Sequence, residues 1–161
     1  MMGAGKTTVG RLLAERLNRE FWDNDVALAQ ATGKTAAEVQ RADGQEALHA
    51  IEDGLLRDAL RRSAPAVFAA PGSVVLDPGA LDGAITVWLR ASAKREAANI
   101  AHSGQHHRPL PADTAAALDR LSAVREQMYA RLADVTVDVA AEPTTTCRRV
   151  IDALDKRAHR R

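Results

Sequence analysis

The chain has 161 residues, enough for one domain with a sizeable core and cramped for two. Hydrophobic residues make up 46% and charged residues 27%, which is ordinary for a soluble globular protein. The 22 basic residues nearly balance the 21 acidic ones, so bulk attraction to nucleic acid or to a membrane is not expected. The single cysteine, Cys147, excludes an internal disulfide. With no long apolar span and no signal peptide pattern, the sequence predicts a cytoplasmic protein.

The predicted elements alternate between helices and strands. In chain order they are a helix over 6–17, a strand over 20–22, helices near 26–31, 36–41 and 45–62, strands over 66–69 and 84–89, a helix over 93–100, a loop over 102–111, a helix near 114–132, a strand over 135–139 and a terminal helix from about 146. This alternation predicts an α/β fold with a parallel sheet covered on both faces. We expect one domain over 1–161.

The first seven residues carry a phosphate-binding motif. They read Met-Met-Gly-Ala-Gly-Lys-Thr and match the P-loop pattern G-x-x-x-x-G-K-[ST] at every position except the first glycine. Small residues let backbone N–H groups approach a phosphate, and the N-terminus of the helix that follows adds partial positive charge. Lys6 would neutralise β- and γ-phosphate charge, and the Thr7 hydroxyl would bind Mg²⁺. The motif therefore predicts an ATP-binding protein, most simply a small-molecule kinase.

The motif lacks its usual preceding strand. A P-loop follows a strand at the centre of the sheet, and the sequence shows neither that strand nor the first glycine. Loss of this strand would leave the neighbouring strands with unpaired edges. A start codon assigned too late, a trimmed chain and a natural protein without the strand all remain open, and we expect the first.

Beyond the motif, the sequence resembles the shikimate kinase family over almost its whole length. The shared landmarks are residues 3–14, Phe21-x-Asp23-x-Asp25, Thr32-Gly33-Lys34-Thr35, Asp43-Gly44-x-Glu46, Glu52, Val75-Leu76-Asp77-Pro78, Trp88-Leu89, Arg108-Pro109-Leu110, and Arg125 followed by Tyr129. The resemblance implies a P-loop NTPase fold of the nucleoside-monophosphate-kinase type, a three-layer sandwich with a parallel sheet and a lid. It also implies an acceptor-binding region at about 23–62 and a lid at about 102–112.

The resemblance assigns roles to individual positions. Asp25 matches the aspartate that contacts the acceptor hydroxyls and could orient or deprotonate the attacking one. Asp23 matches an aspartate close to Mg²⁺, which makes Thr7 and Asp23 the predicted metal-binding pair. Arg108 matches a catalytic lid arginine, and Arg125 matches an arginine that holds the acceptor carboxylate. The predicted ATP-binding residues are Gly3, Ala4, Gly5, Lys6, Thr7, Thr8, Val9, Gly10 and Arg108, and the predicted catalytic residues are Lys6, Asp25 and Arg108.

Several positions depart from the family pattern. His49 stands where the family carries an arginine that grips the acceptor carboxylate, and it is only partly charged near neutral pH. Pro71-Gly72-Ser73 replaces a Gly-Gly-Gly segment, so one N–H is lost and a side chain is added. Ala101 occupies the place of a second lid arginine, and the residues after the last strand, 140–143, also differ. The predicted acceptor-binding residues are Asp25, His49, Gly72 and Arg125.

The leading hypothesis is an ATP- and Mg²⁺-dependent shikimate kinase that forms shikimate 3-phosphate and ADP in aromatic amino acid biosynthesis. A P-loop kinase for another small hydroxylated acceptor and a catalytically weak nucleotide-binding relative remain the alternatives. We expect a monomer without nucleic-acid or membrane partners. The histidines of the 102–111 loop fit a solvated lid tip better than a metal site, and the basic C-terminal residues fit a frayed tail.

Overall fold

The computed structural model describes residues 4–61, 64–92 and 126–160, and the elements that they form follow the predicted alternation. The helices are α1 (Lys6–Leu17), α2 (Asn24–Thr32), α3 (Ala36–Leu60), α4 (126–132) and α5 (Pro143–Ala158). The strands are β1 (Glu20–Asp23), β2 (Ala66–Ala69), β3 (Val87–Arg90) and β4 (Val135–Asp138), and two 3-10 turns lie at Gly72–Leu76 and Pro78–Leu81. The predicted helix over 93–100, the loop over 102–111 and most of the helix over 114–132 lie outside the described residues.

The strands pair in parallel, as predicted. β1 pairs with β2 from Glu20 opposite Ala66, and β3 pairs with β4 from Val87 opposite Val135. Within the described residues, the four strands form two separate pairs rather than one continuous sheet. β2 and β3 are therefore each paired along one edge there.

Helix α1 joins the two strand pairs through one hydrophobic core. Its Val9 and Leu13 pack with residues of β4 and α5, and half-buried Val67 of β2 and Leu89 of β3 lie against the same cluster. The remaining buried members of this cluster are Val135, Val137, Cys147 and Val150. Cys147 is fully buried, and this burial raises the pKa of its thiol.

A glycine sets the distance between α1 and β1. A Cβ atom built on Gly10 would lie 2.8 Å from Cε2 of Phe21, closer than real Cβ atoms approach. We expect Gly10→Ala to lower the free energy of unfolding by about 1 kcal/mol, because overpacking costs ~1–3 kcal/mol while the gain in helix propensity returns up to ~1 kcal/mol. Urea unfolding measures the difference. The matched control is Gly54→Ala in α3, where nothing lies within 4 Å and the propensity gain should raise stability; equal effects at both glycines would contradict this packing.

Helices α2 and α3 form a second core around Leu28, Val39 and Leu48. A capping box starts α3, in which the Thr35 side chain accepts from the Glu38 N–H and the Glu38 carboxylate accepts from the Thr35 N–H. The sequence predicts two helices here, over 36–41 and 45–62. The backbone confirms a break between two helical segments, because α3 is interrupted at Gly44, whose φ of 87° and ψ of 170° are non-helical and accessible to glycine at little cost.

The C-terminal helix begins earlier and is better ordered than predicted. Pro143 occupies the first turn, where its missing N–H costs no hydrogen bond, so α5 starts three residues before the predicted Thr146. The basic end is not frayed up to Ala158, because Arg157 contacts Asp134 at 2.5 Å. The hydrogen bond from the Thr86 N–H is the largest cause that lowers the pKa of Asp134, and the hydrogen bond from Arg157 lowers this pKa further. No helix within the described residues is long and apolar enough to cross a membrane.

Candidate active site

The N-terminal end of α1 begins at a glycine in a left-handed conformation. Gly5 is the N-cap, with φ 86° and ψ 19°, a left-handed conformation that suits glycine, and Ala4 before it is 1% exposed. Lys6 is the first helical residue, and Gly5 supplies no side chain to cap the first-turn N–H groups. The first turn of α1 contains no acidic residue of its own.

The predicted ATP-binding residues divide between the two faces of α1. Thr7 and Thr8 are exposed, whereas Val9 and Gly10 are buried against the core and Phe21. The Val9 N–H donates to the Gly5 carbonyl at 2.9 Å, so the amide and side chain of Val9 are both used inside the protein. Val9 and Gly10 both pack inside the protein, and their ATP-binding roles stay predictions. Gly3 lies outside the described residues.

The two predicted metal-binding residues are in direct contact. The Thr7 hydroxyl donates to Oδ2 of Asp23 at 2.7 Å, although the residues are 16 positions apart. Asp23 is the last residue of β1 and is 8% exposed. Its Oδ1 accepts from the Asp25 N–H at 2.9 Å and so caps α2. Because this cap fixes the start of α2, the exposed Asp25 stands in the first turn of that helix, and its N–H donates to the same carboxylate that contacts Thr7.

The donor set at this point fits Mg²⁺. Mg²⁺ prefers oxygen ligands and is usually held by one or two protein groups together with substrate phosphates and waters. The Thr7 hydroxyl and the Asp23 carboxylate supply oxygen atoms of the required kind. Over residues 4–61, 64–92 and 126–160, no group of three His, Cys, Asp or Glu side chains could hold a metal by itself.

A pocket of about 220 Å³ opens between α3 and the first 3-10 turn. The polar and turn-forming part of its lining comes from His49, Asp53, Pro71, Ser73 and Asp77. Two of the lining carboxylates, Asp53 and Asp77, are held by the Arg57 guanidinium; Nε donates to Asp53 at 2.8 Å, and Nη2 contacts Asp77.

The guanidinium offsets part of the negative charge on this wall of the pocket. Its hydrogen bonds to Asp53 and then to Asp77 raise the pKa of Arg57, so the cation persists across the working pH range. The pocket thus presents His49 and Ser73 beside two carboxylates that share one guanidinium, which leaves one formal negative charge on this wall.

The turn at 71–73 is held from two sides. The Tyr129 hydroxyl donates to the Gly72 carbonyl at 2.8 Å, and its ring stacks on Trp88 with centroids 5.7 Å apart. On the other side, the Ser73 hydroxyl donates to Oε2 of Glu52 at 2.6 Å. These contacts fix the backbone of the predicted acceptor-binding Gly72.

Two residues with structural roles at the site, Glu52 and Ser73, have no role assigned by sequence reasoning. Glu52 is 2% exposed and lies between Leu48 and Leu56 on the buried face of α3. An acidic residue at i and i+4 spacing from buried leucines is the signal that could have identified it, because a buried carboxylate needs polar partners. Ser73 carries no comparable signal.

The structure brings part of the predicted site together. Thr7, Asp23 and Asp25 meet at one place, and His49 and Gly72 lie at the pocket and its turn. Asn24 connects the two groups, because its Nδ2 donates to Oε1 of Glu52 at 3.5 Å. Arg108, Arg125 and the lid at 102–112 lie outside the described residues, and their roles stay predictions.

Known proteins match both the sequence and the fold. A family model for shikimate kinase matches residues 2–155. The shikimate kinase of Mycobacterium leprae is 37% identical over 141 residues, which cover 84% of this chain and 69% of that protein. The shikimate kinase of Mycobacterium ulcerans is 34% identical over 159 residues, which cover 95% of this chain and 85% of the relative.

Solved structures agree with these relatives. A shikimate kinase from Acinetobacter baumannii in complex with shikimate superposes with a TM-score of 0.89 at 25% identity, covering 96% of this chain and 89% of that one. The shikimate kinase of Aquifex aeolicus gives a TM-score of 0.78 at 22% identity over 98% of this chain and 94% of its own, which supports the fold. The residue landmarks, the parallel α/β fold and these matches agree, and the chain belongs to the shikimate kinase family.

Proposed function

We propose that this protein is a shikimate kinase, which transfers the γ-phosphoryl group of ATP to a shikimate hydroxyl and releases shikimate 3-phosphate and ADP. Family membership and the identities of the relatives support the reaction. The observation that carries it in this chain is the 2.7 Å contact between Thr7 and Asp23. That contact places the acidic start of α2 next to the helix end that would bind the triphosphate.

The phosphate side of the reaction needs positioning and charge stabilisation more than covalent chemistry. The first-turn amides of α1 would bind phosphate oxygens, and the Lys6 ammonium would offset the charge that develops on the β- and γ-phosphates. Thr7 and Asp23 would hold Mg²⁺ together with the ATP phosphates. When bound, the ion neutralises phosphate charge.

The acceptor side is organised by Asp25. In this proposal its carboxylate orients the attacking hydroxyl and accepts its proton as the O–P bond forms. The support is that the Asp25 N–H donates to Asp23, the same residue that contacts Thr7. The leaving oxygen remains on ADP. We further propose that Arg108 closes on the transferring phosphoryl group from the lid and that Arg125 holds the shikimate carboxylate, as the family resemblance implies.

A second candidate is a kinase for a different small hydroxylated acid or polyol. The observation that favours it is the composition of the pocket, where His49 and Ser73 stand at positions that the family pattern gives to arginine and glycine. A histidine offers less positive charge to a carboxylate at neutral pH than an arginine does. Losing one charge-assisted contact costs about 1.5–3 kcal/mol, or roughly ten- to a hundredfold in affinity.

An ADP-release assay with purified protein, Mg-ATP and shikimate tests the proposal, with the phosphorylated product identified by mass spectrometry. Shikimate-dependent ADP release supports a shikimate kinase. Turnover only with another acceptor from a panel of hydroxylated acids and polyols favours the second candidate. ATP binding by calorimetry without product from any acceptor would identify a catalytically weak nucleotide-binding relative instead.

We propose for this protein the domain organisation, assembly state and compartment that its sequence predicts. Residues 1–161 would act as one kinase domain, as a monomer in the cytoplasm, with ATP and a small acid as its ligands. Its near-neutral charge balance supports an absence of nucleic-acid binding.

A further inference from the structure

A buried polar bridge links the two halves of the acceptor site. Glu52 accepts from Ser73 at 2.6 Å through Oε2 and from Asn24 at 3.5 Å through Oε1. All three side chains are buried, with Glu52 and Asn24 each 2% exposed and Ser73 7% exposed. Three separate elements are therefore joined at one carboxylate: the start of α2, the middle of α3 and the first 3-10 turn.

The residues next to Asn24 and Ser73 in the chain belong to the predicted site. Asn24 lies between Asp23, which contacts Thr7, and Asp25, which would orient the acceptor hydroxyl. Ser73 directly follows Gly72 and lines the pocket together with His49. A buried carboxylate that loses a partner is costly, so the carboxylate favours the geometry in which both donors are in place.

We propose that Glu52 is a positioning residue, which through Ser73 and Asn24 holds the pocket turn and the Asp25 segment at a fixed separation and so sets the affinity for the acceptor. This inference rests on the proposed function for its kinetic consequence. Glu52 itself lies too deep to contact a ligand. Its effect passes through Ser73 on the pocket side and through Asn24 on the phosphate side.

The shorter hydrogen bond provides the sharper variant. Ser73→Ala removes the hydroxyl while leaving the carboxylate in place, and we expect the KM for shikimate to rise about tenfold, the lower end of the effect of one hydrogen bond to a charged group. The KM for ATP should stay within about twofold, because the phosphate-binding end of α1 does not contact Ser73. In a Glu52→Gln background, where the amide oxygen can serve only one of the two donors well, Ser73→Ala should have a clearly smaller additional effect.

A readout that does not need turnover accompanies the kinetics. The Asp25 N–H donates to Asp23, and its hydrogen exchange can be followed by NMR in nitrogen-15-labelled protein. If the bridge holds this segment, Ser73→Ala should speed exchange at Asp25 several-fold. The matched control is Thr86→Val. Thr86 directly precedes β3, and its hydroxyl, which the substitution removes, donates to the Leu132 carbonyl outside the site. This substitution should lower stability without changing exchange at Asp25 or the KM for shikimate.

The outcomes separate this inference from the proposed function. No shikimate turnover by the wild-type protein would refute the proposed function, and the exchange measurement would still decide on the bridge. Turnover by the wild type, with Ser73→Ala unchanged in both the KM for shikimate and exchange at Asp25, would overturn the bridge alone. Equal changes in Ser73→Ala and Thr86→Val would also overturn it, since they would report only lost stability.

Discussion

Replacing Lys6 by alanine should lower kcat by about a hundred- to a thousandfold, the usual cost of losing one preorganised charge at a reacting centre. Lys6 is the first residue of α1, so its ammonium belongs to the helix end that carries the partial positive charge. The loss should affect kcat more than the KM for shikimate, because the charge on the transferring phosphoryl group develops in the transition state. Steady-state ADP release, with ATP and shikimate varied separately, measures both constants.

The control for this prediction is Lys156→Ala. Lys156 is an exposed lysine in the last turn of α5, so its removal changes the net charge equally without touching the predicted site. Its kinetic constants should match those of the wild type. If Lys6→Ala keeps full activity while folded, the proposed phosphate site is wrong.

Asp25→Asn should lower kcat by about a hundred- to ten-thousandfold, the range for loss of a general base. Asparagine keeps the size of the side chain, and the backbone N–H that donates to Asp23 is unchanged, so α2 should remain capped. The KM for ATP should therefore stay near the wild-type value. The same ADP-release assay tests this.

An exposed aspartate far from the site supplies the comparison. Asp152→Asn on α5 makes the same chemical change at an exposed position. Its kinetics should not differ from the wild type. A fall in activity of less than tenfold in Asp25→Asn would limit Asp25 to binding the acceptor and assign proton removal to another group.

The local elements of this protein could be predicted well because their signals are short-range. The apolar spacing from Val9 to Leu17 predicts α1, and Gly5 before it takes the positive φ that the motif requires. The strand at 66–69 is predicted at its observed bounds, while the strand predicted at 84–89 forms at Val87–Arg90. The apolar residues Ala84 and Ile85 extend the pattern without strand pairing, since β4 begins opposite Val87.

The contacts between distant elements could be predicted less well. The pairing of Thr7 with Asp23 follows from the resemblance, but its direct hydrogen bond depends on how β1 lies against α1. The Ser73–Glu52 contact spans 21 residues and depends on the turn that Pro71 starts, so no local pattern indicates it. Within residues 4–61, 64–92 and 126–160, the separation of the strands into two pairs also depends on long-range packing, which periodicity does not encode.

Because α1 packs against both strand pairs, a phosphate ligand bound at its N-terminal end would stabilise both pairs. The same helix packs on β1 and β2 on one side and shares the core of β3, β4 and α5 on the other. The binding free energy of a nucleotide at the first turn of α1 would therefore stabilise a helix that packs against both strand pairs. At a ligand concentration a hundred times Kd, the added stability is about 2.7 kcal/mol. The protection of backbone amides against exchange should increase in β2 and in β4 alike.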